Sequence, residues 1–401
     1  RFAHHPAVEM ARSLTEKNGV AFDAVMSMAI SLSPPPTLTP LVPFGHGLPD
    51  ERWGPDGGVA FLPLLRAFYN ESDFGPFFAA HQSLYLATER SFHDTLSHVD
   101  FGWYERFYRP LRKTQFKFIL GLNNGPGFYG PHVNLPDGKT TAYAIIGCKL
   151  HDDAGTPIFK ASSLLPLVLH EFNHSFVNPA VDAQWSIFHQ TETVYNAVSS
   201  EMQKQAYGDA KTMVDESIVR AAVLVYLSDT KAPQATIDRL TRQEQLWGFF
   251  WMPELTTSLK LYEKTRTPSD TFASWVPRIA ETYLKLAPDV QQSKAAYSHG
   301  VARVTGMKPF SSGAQEVDSD TKVLTLFADR PLRGVEGDAT SPVTGMLYPV
   351  SSPGHLSNAT TIELPLHLLP HTHYGFRFAG AAFFTADGYP LEEQTIDFMT
   401  R

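Results

Sequence analysis

Cysteine is almost missing from this sequence: there is one in 401 residues, Cys148. That excludes an intramolecular disulfide and any cysteine-rich zinc site. The lone thiol lies in Ala144-Ile-Ile-Gly-Cys-Lys-Leu150, which reads as a strand, so a buried and inert side chain is expected rather than a nucleophile. Basic charge is also short, with 33 Lys and Arg against 41 Asp and Glu and a net charge of −8. A phosphate-neutralising surface needs the opposite sign, so nucleic acid is excluded as a general partner. Apolar runs such as Ala221–Leu227 fall far short of about 18 residues, so no membrane span is expected. Internal repeats and low-complexity tracts are missing. With 43% hydrophobic residues there is material for buried cores, which excludes wholesale disorder. The chain opens on Arg1 instead of methionine, as expected of a processed or trimmed product, and a removed signal peptide is compatible with that.

The sequence changes character along its length, and the length itself suggests two or three units. Residues 1–110 are rich in aromatics and proline, with helical spacing at Phe61–Tyr69 and Phe77–Ala87 and a loop at Ser33-Pro-Pro-Pro36. Residues 111–160 carry two strand-like runs, Phe116–Leu120 and Tyr143–Ile146, around the glycine-rich Gly121–Gly130. Residues 161–310 show apolar positions at intervals of three and four almost throughout. Beyond them Thr321–Phe327, Thr361–Leu364, Tyr374–Phe378 and Thr395–Phe398 alternate between turns, the pattern of an antiparallel sandwich. The expected fold is α+β: a mainly helical domain with a small sheet over 1–315, then an all-β domain over 316–401.

The chemistry lies in Ser162-Ser-Leu-Leu-Pro-Leu-Val-Leu-His170-Glu171-Phe-Asn-His174-Ser-Phe-Val-Asn-Pro179. This contains H-E-x-x-H, a pattern that chance would supply roughly 0.03 times in a chain of this composition. On a helix His170 and His174 stand one turn apart on one face, where both imidazoles can meet one zinc ion. Glu171 can then take a proton from a zinc-activated water as general base. Leu165, Leu169, Phe172 and Phe176 form the apolar stripe that would seat such a helix. Ser162 or Ser163 is expected to cap it, and Asn178-Pro179 to stop it. The pairs His93/His98, His371/His373 and His4/His5 lack this geometry and read as structural or exposed.

Catalytic zinc takes three protein ligands and leaves a position open. Position 180 is Ala, so a third histidine six residues on is excluded. Two glutamates remain. Glu216 opens an apolar helix, with Arg220 one turn on to orient it, and is preferred. Glu192 is the alternative, in a stripe with Phe188 and Tyr195 that would turn it inward. For the donor to a developing oxyanion, Arg220, Tyr226, Tyr297 and His299 are all chemically able, and the sequence does not choose among them.

The H-E-x-x-H helix followed by a Glu-bearing helix resembles the gluzincin class of zinc metallopeptidases. More narrowly, His170–Pro179 and Glu216-Ser-Ile-Val-Arg-Ala resemble a family of bacterial exported proteins regarded as metallopeptidases. Phe68-Tyr69, Phe74–Phe78, Trp103–Phe107 and Tyr129-Gly130 fit its upstream pattern, so the resemblance spans about residues 20–300. Leu369–Phe376, Asp387–Leu391 and Thr395–Thr400 resemble bacterial Ig-like modules, which act as spacers or adhesive units. The resemblance implies a zincin-like domain over 1–315 with an Ig-like sandwich after it. It also implies a secreted, periplasmic or cell-surface location and a peptide or protein substrate. By analogy with zincin architecture, the strand Tyr143–Ile146 is expected beside the metal helix, where an extended peptide could pair with it. Two other readings stay open: a surface or glycan-binding protein with a structural or vestigial zinc, and a zinc amidase acting on cell-wall peptides.

Overall fold

A computed structural model describes the chain except residues 46, 97–98, 126, 149 and 335–338, and the side chains of residues 162, 163 and 381. His98 and the capping groups of Ser162 and Ser163 therefore lie outside the described residues. Helices open the chain: α1 (Pro6–Asn18), α2 (Asp23–Ile30), α3 (Gly54–Glu71), α4 (Phe74–Ala80), α5 (Gln82–Leu96) and α6 (Gly102–Tyr108). Strands follow: β1 (Thr114–Gly121), β2 (Phe128–Tyr129), β3 (His132–Asn134), β4 (Thr140–Gly147), β5 (Leu150–His151) and β6 (Pro157–Ile158). The middle is helical: α7 (Ala161–Asp182), α8 (Thr191–Gln203), α9 (Ala210–Asp229), α10 (Gln234–Leu246), α11 (Met252–Thr265), α12 (Phe272–Leu286) and α13 (Val290–Gly300). Strands close it: β7 (Val304–Lys308), β8 (Ala314–Val317), β9 (Val323–Ala328), β10 (Arg333–Gly334), β11 (Thr340–Pro342), β12 (His355–Asn358), β13 (Thr361–Pro365), β14 (His373–Phe378), β15 (Phe383–Phe384) and β16 (Gln394–Thr400). The fold is α+β with several small sheets. Among the described residues no helix is long and apolar enough to cross a membrane.

The chain divides into two compact units, Arg1–Ile187 with Leu261–Arg278, and Phe188–Lys260 with Ile279–Arg401. In the first, β4 is the central strand of a four-stranded sheet: β1 pairs with it in parallel, while β2 and β3 pair with it antiparallel. All eight residues of β4 are buried. The expected role of Tyr143–Ile146 as the strand open to a peptide is thus corrected, because its backbone groups already have partners on both sides. Cys148, just past β4, is buried as expected, and burial pushes its thiol up.

Helix α7 packs on this sheet, and its Leu169 and Phe172 are both fully buried. Phe172 meets Phe116 and Phe118 of β1 at 5.0 and 5.2 Å between ring centroids, and Phe101 at 5.9 Å. Tyr108 stacks on Phe176 at 4.6 Å. Two buried phenols pin the same helix: Tyr104 donates to the Leu169 carbonyl at 3.2 Å and Tyr108 to Asn173 Oδ1 at 2.9 Å. It begins at Ala161 after Lys160, and the stop expected at Asn178-Pro179 is corrected, because the helix runs through Pro179 to Asp182. An interior proline costs about 3 kcal/mol. The helix survives because Val177 and Val181, on either side of Pro179, are fully buried. At the other end of the unit, His81 interrupts the helical run expected over Phe77–Ala87, dividing it between α4 and α5.

In the second unit α9 is buried from Met213 to Leu227, which explains its nearly unbroken apolar sequence. Asp209 caps it, accepting from the Thr212 amide at 2.8 Å. The C-terminal strands form two four-stranded sheets, ordered β11-β14-β16-β8 and β12-β13-β9-β7, which share one apolar core including Leu324, Leu326, Ile362, Phe376, Phe378 and Phe398. The alternation read in Thr321–Phe327 is real: β9 is buried at every second residue. One pairing departs from the antiparallel expectation. The chain switches sheets between β7 and β8, and β8 arrives parallel to β16.

Phe172 occupies the centre of the aromatic seat, so Phe172→Ala is expected to lower stability by about 3–5 kcal/mol. Urea denaturation followed by far-ultraviolet circular dichroism measures this. An unchanged midpoint would show that the ring does not hold α7 on the sheet.

Candidate metal centre

Helix geometry brings the two motif histidines together as their spacing requires. Their Nε2 atoms are 3.1 Å apart and their ring centroids 4.8 Å. Two ligands held at about 2.0–2.1 Å by one tetrahedral ion would stand about 3.3 Å apart, so the pair is already close to a chelating geometry. The Nδ1 of His174 faces Asn178 Oδ1 at 3.1 Å. That oxygen can only accept, so Nδ1 carries the proton and Nε2 presents a lone pair. Asn178 can take part because α7 does not stop before Pro179.

Glu171 is buried, at 5% exposure. The connection from β2 to β3 lies directly on its backbone: a Cβ on Gly130 would stand 1.9 Å from the Glu171 carbonyl oxygen. Only glycine permits that approach. The neighbouring Tyr129 has its phenol pushed up by burial, then by the carboxylates of Asp23 and Glu171. Tyr129 was not among the candidate oxyanion donors, although its adjacency to Gly130 marked the segment.

Glu216 is buried, at 8% exposure, in the second turn of α9, beyond the first-turn amides that favour any carboxylate. Its Oε2 accepts from the Tyr207 hydroxyl at 2.9 Å and from Arg220 Nη2 at 3.4 Å. Arg220 also donates through Nη2 to Tyr207 Oη at 3.0 Å and through Nη1 to Glu244 Oε2 at 2.7 Å. The rings of Trp247 and Phe249 lie 5.1 and 4.8 Å from its guanidinium carbon. Burial alone would lower the Arg220 pKa, but Glu244, Tyr207 and Glu216 together raise it, so the guanidinium is charged. Burial pushes the Tyr207 hydroxyl up strongly, keeping it a neutral donor.

Glu192 does not share this environment. It is exposed on α8 while Phe188 and Tyr195 are buried, which corrects the inward orientation expected of it. Phe188 lies ahead of α8, so the helical period linking the three residues does not hold. Of the other residues considered for the oxyanion, Tyr226 is buried in α9, and Tyr297 packs against Phe250 and Tyr389 at 5.6 and 5.7 Å. His299 is exposed on α13. One ligand atom from each of His170, His174 and Glu216 lies within 4.8 Å of the other two. Two imidazoles and a carboxylate are a donor set that suits zinc.

No curated protein matches the chain. Solved structures similar to it include the N-terminal part of the bacterial S-layer protein SbsC, at 12% identity, covering 63% of this chain and 60% of that one, with a TM-score of 0.18. Domains 1–6 of the surface layer protein SbsC are similar at 15% identity, covering 60% of this chain and 34% of that one, with a TM-score of 0.19. The chain thus spans 60% and 34% of their lengths, and likenesses at these TM-scores carry no argument about fold or function. A family model described as a domain of unknown function, DUF4932, matches residues 2–282. Those residues hold the whole motif helix and Glu216, and by that match the chain belongs to the DUF4932 family.

Proposed function

We propose that the chain is a zinc-dependent hydrolase, and specifically a metallopeptidase, with His170, His174 and Glu216 as metal ligands and Glu171 as general base. The observation that carries the reading is the convergence of two imidazole Nε2 atoms and one carboxylate beside a buried glutamate that is not itself among the three donors. A structural site has no use for that glutamate, whereas hydrolysis needs a base beside the metal. Zinc held there would act as a Lewis acid on a scissile carbonyl and lower the pKa of water toward neutrality. The chain's own residues do the rest. Asn178 fixes the His174 ring. The Glu171 carboxylate accepts a proton from water and hands it to the departing amine. An extended peptide would pair along β2, at the end of the sheet order and with Gly130 against Glu171, rather than along the filled β4.

The same reading takes the C-terminal sheets as an Ig-like module and the protein as secreted, periplasmic or cell-surface. The two four-stranded sheets over one core support the module, and the β8–β16 pair is parallel where the neighbouring pairs are antiparallel.

The purified chain is expected to bind about one zinc per molecule. Glu216→Gln should weaken binding by more than the roughly 10–100-fold that loss of an outer partner costs, while Glu192→Gln stays near wild type. Competition with a chromophoric chelator measures both, and equal losses in the two variants would remove Glu216 from the ligand set.

Glu171→Gln should keep zinc and fold yet lose about 10²–10⁴-fold in hydrolysis of a mixed peptide library read by mass spectrometry. Equal cleavage by both proteins would assign the base elsewhere. Equal inertness on peptides, peptidoglycan and simple amides would leave the catalytic reading without support.

A further inference from the structure

We infer that Tyr207, Arg220 and Glu244 form a charge-balanced bracket around Glu216, in which Glu244 restrains Arg220 so that the Glu216 carboxylate stays available to a divalent cation. This rests on the metal reading above and adds residues that neither the motif nor the family match assigns. A buried glutamate one helical turn from a buried arginine would ordinarily close into a tight ion pair. Here it does not. Arg220 stands 3.4 Å from Glu216 but 2.7 Å from Glu244. The guanidinium lies by the Trp247 and Phe249 rings, so its position is fixed by packing as well as by charge. Tyr207 fills the gap between them, accepting from Arg220 and donating to the Glu216 oxygen that faces Arg220.

The charges explain why a second carboxylate is needed. A fully charged Arg220 beside Glu216 alone would neutralise it, and a cation would have to compete with a guanidinium for the same oxygens. Glu244, buried on α10, gives that guanidinium another partner. The two carboxylates and one guanidinium then sum to −1; a divalent cation with two neutral imidazoles brings this to +1, and the Glu171 carboxylate brings it to zero. Without Glu244 the same assembly would keep a charge of +1 in a site removed from water. Tyr207 and Glu244 act through Glu216 and Arg220, so they are positioning residues and not catalytic ones.

The test uses the full chain stripped of metal and compares zinc affinity by chelator competition with the visible spectrum of the cobalt-loaded protein. Glu244→Gln should bind zinc about 10–100-fold more weakly and shift the cobalt bands. The double variant Arg220→Met/Glu244→Gln should regain affinity relative to Glu244→Gln, because the competing guanidinium is gone. Tyr207→Phe, which removes one hydroxyl, should weaken binding about tenfold, and it decides the matter if Glu244→Gln fails to fold. Wild-type affinity in both Glu244→Gln and Tyr207→Phe would overturn the bracket while leaving the metal centre standing. A double variant weaker than Glu244→Gln would overturn the competition between Arg220 and the cation. A wild-type chain that takes up neither zinc nor cobalt would defeat the metal centre itself, and the bracket with it.

Discussion

The rotation of α7 about its own axis is the constraint on which the site depends. A turn of about 100° separates successive side chains on a helix, so a small rotation would carry both histidines out of line together while leaving their mutual spacing intact. Spacing alone therefore makes a chelating pair and does not aim it. The aim comes from the far side of the helix. Phe172 is held among Phe101, Phe116 and Phe118, Phe176 lies under Tyr108, and two phenols hydrogen-bond to Leu169 and Asn173. Rings packed at such distances have few alternative arrangements, and the polar contacts have fewer. Gly130 closes the remaining freedom by bringing the β2–β3 connection onto the Glu171 backbone.

Buried charge imposes the second constraint. Glu171, Glu216, Glu244 and Arg220 are all buried or nearly so, and an unpaired charge there would be costly. Burial pushes the Glu244 carboxyl up, Arg220 draws it back down, and Glu216 pushes it up again, with a net rise. Arg220 is the common partner that lets two carboxylates share one small volume. Such an arrangement is poor as a device for stability, since apolar residues of the same size would fill the space at less cost. The cation site proposed at Glu216 accounts for its presence beside the apolar core of this unit.

Local features were legible in the sequence and non-local ones were not. The H-E-x-x-H pair needed only helical periodicity, and the strands β9, β13, β14 and β16 needed only alternation between turns. Glu216 was legible because it precedes the mostly apolar run Ile218–Leu227, although α9 begins earlier, at Ala210, and the adjacent Asp215 is buried as well. Tyr207 and Glu244 were not, because nothing in the chain says that positions nine and 28 residues from Glu216, counted along the sequence, return to it. Asn178 was hidden by the proline after it. The rule that proline ends a helix is a local preference, and burial of Val177 and Val181 overrode it. Glu192 misled for the converse reason: its stripe with Phe188 assumed a helix that had not yet begun. The strand β4 was identified correctly as a strand, but an edge is a property of the sheet and cannot be read from one strand.

The position of α10 ties these levels together. Near its C-terminal end, Glu244 reaches Arg220 on α9. Along the same helix, Arg239 and Arg242 receive a turn of the C-terminal sheets. Gly388 in that turn has φ +86°, and a Cβ there would stand 2.7 Å from the Arg239 backbone nitrogen. The neighbouring Tyr389 ring sits 4.2 Å from the Arg242 guanidinium and 5.7 Å from the Tyr297 ring. A backbone approach that only glycine allows, flanked by an aromatic ring between two helices, is the geometry of a packed interface. A spacer on a free linker would need none of it. Within this unit the C-terminal sheets are therefore part of the surroundings that hold α10. The position of Glu244, and through Arg220 that of Glu216, is set by packing from the β side as well as from the helical side.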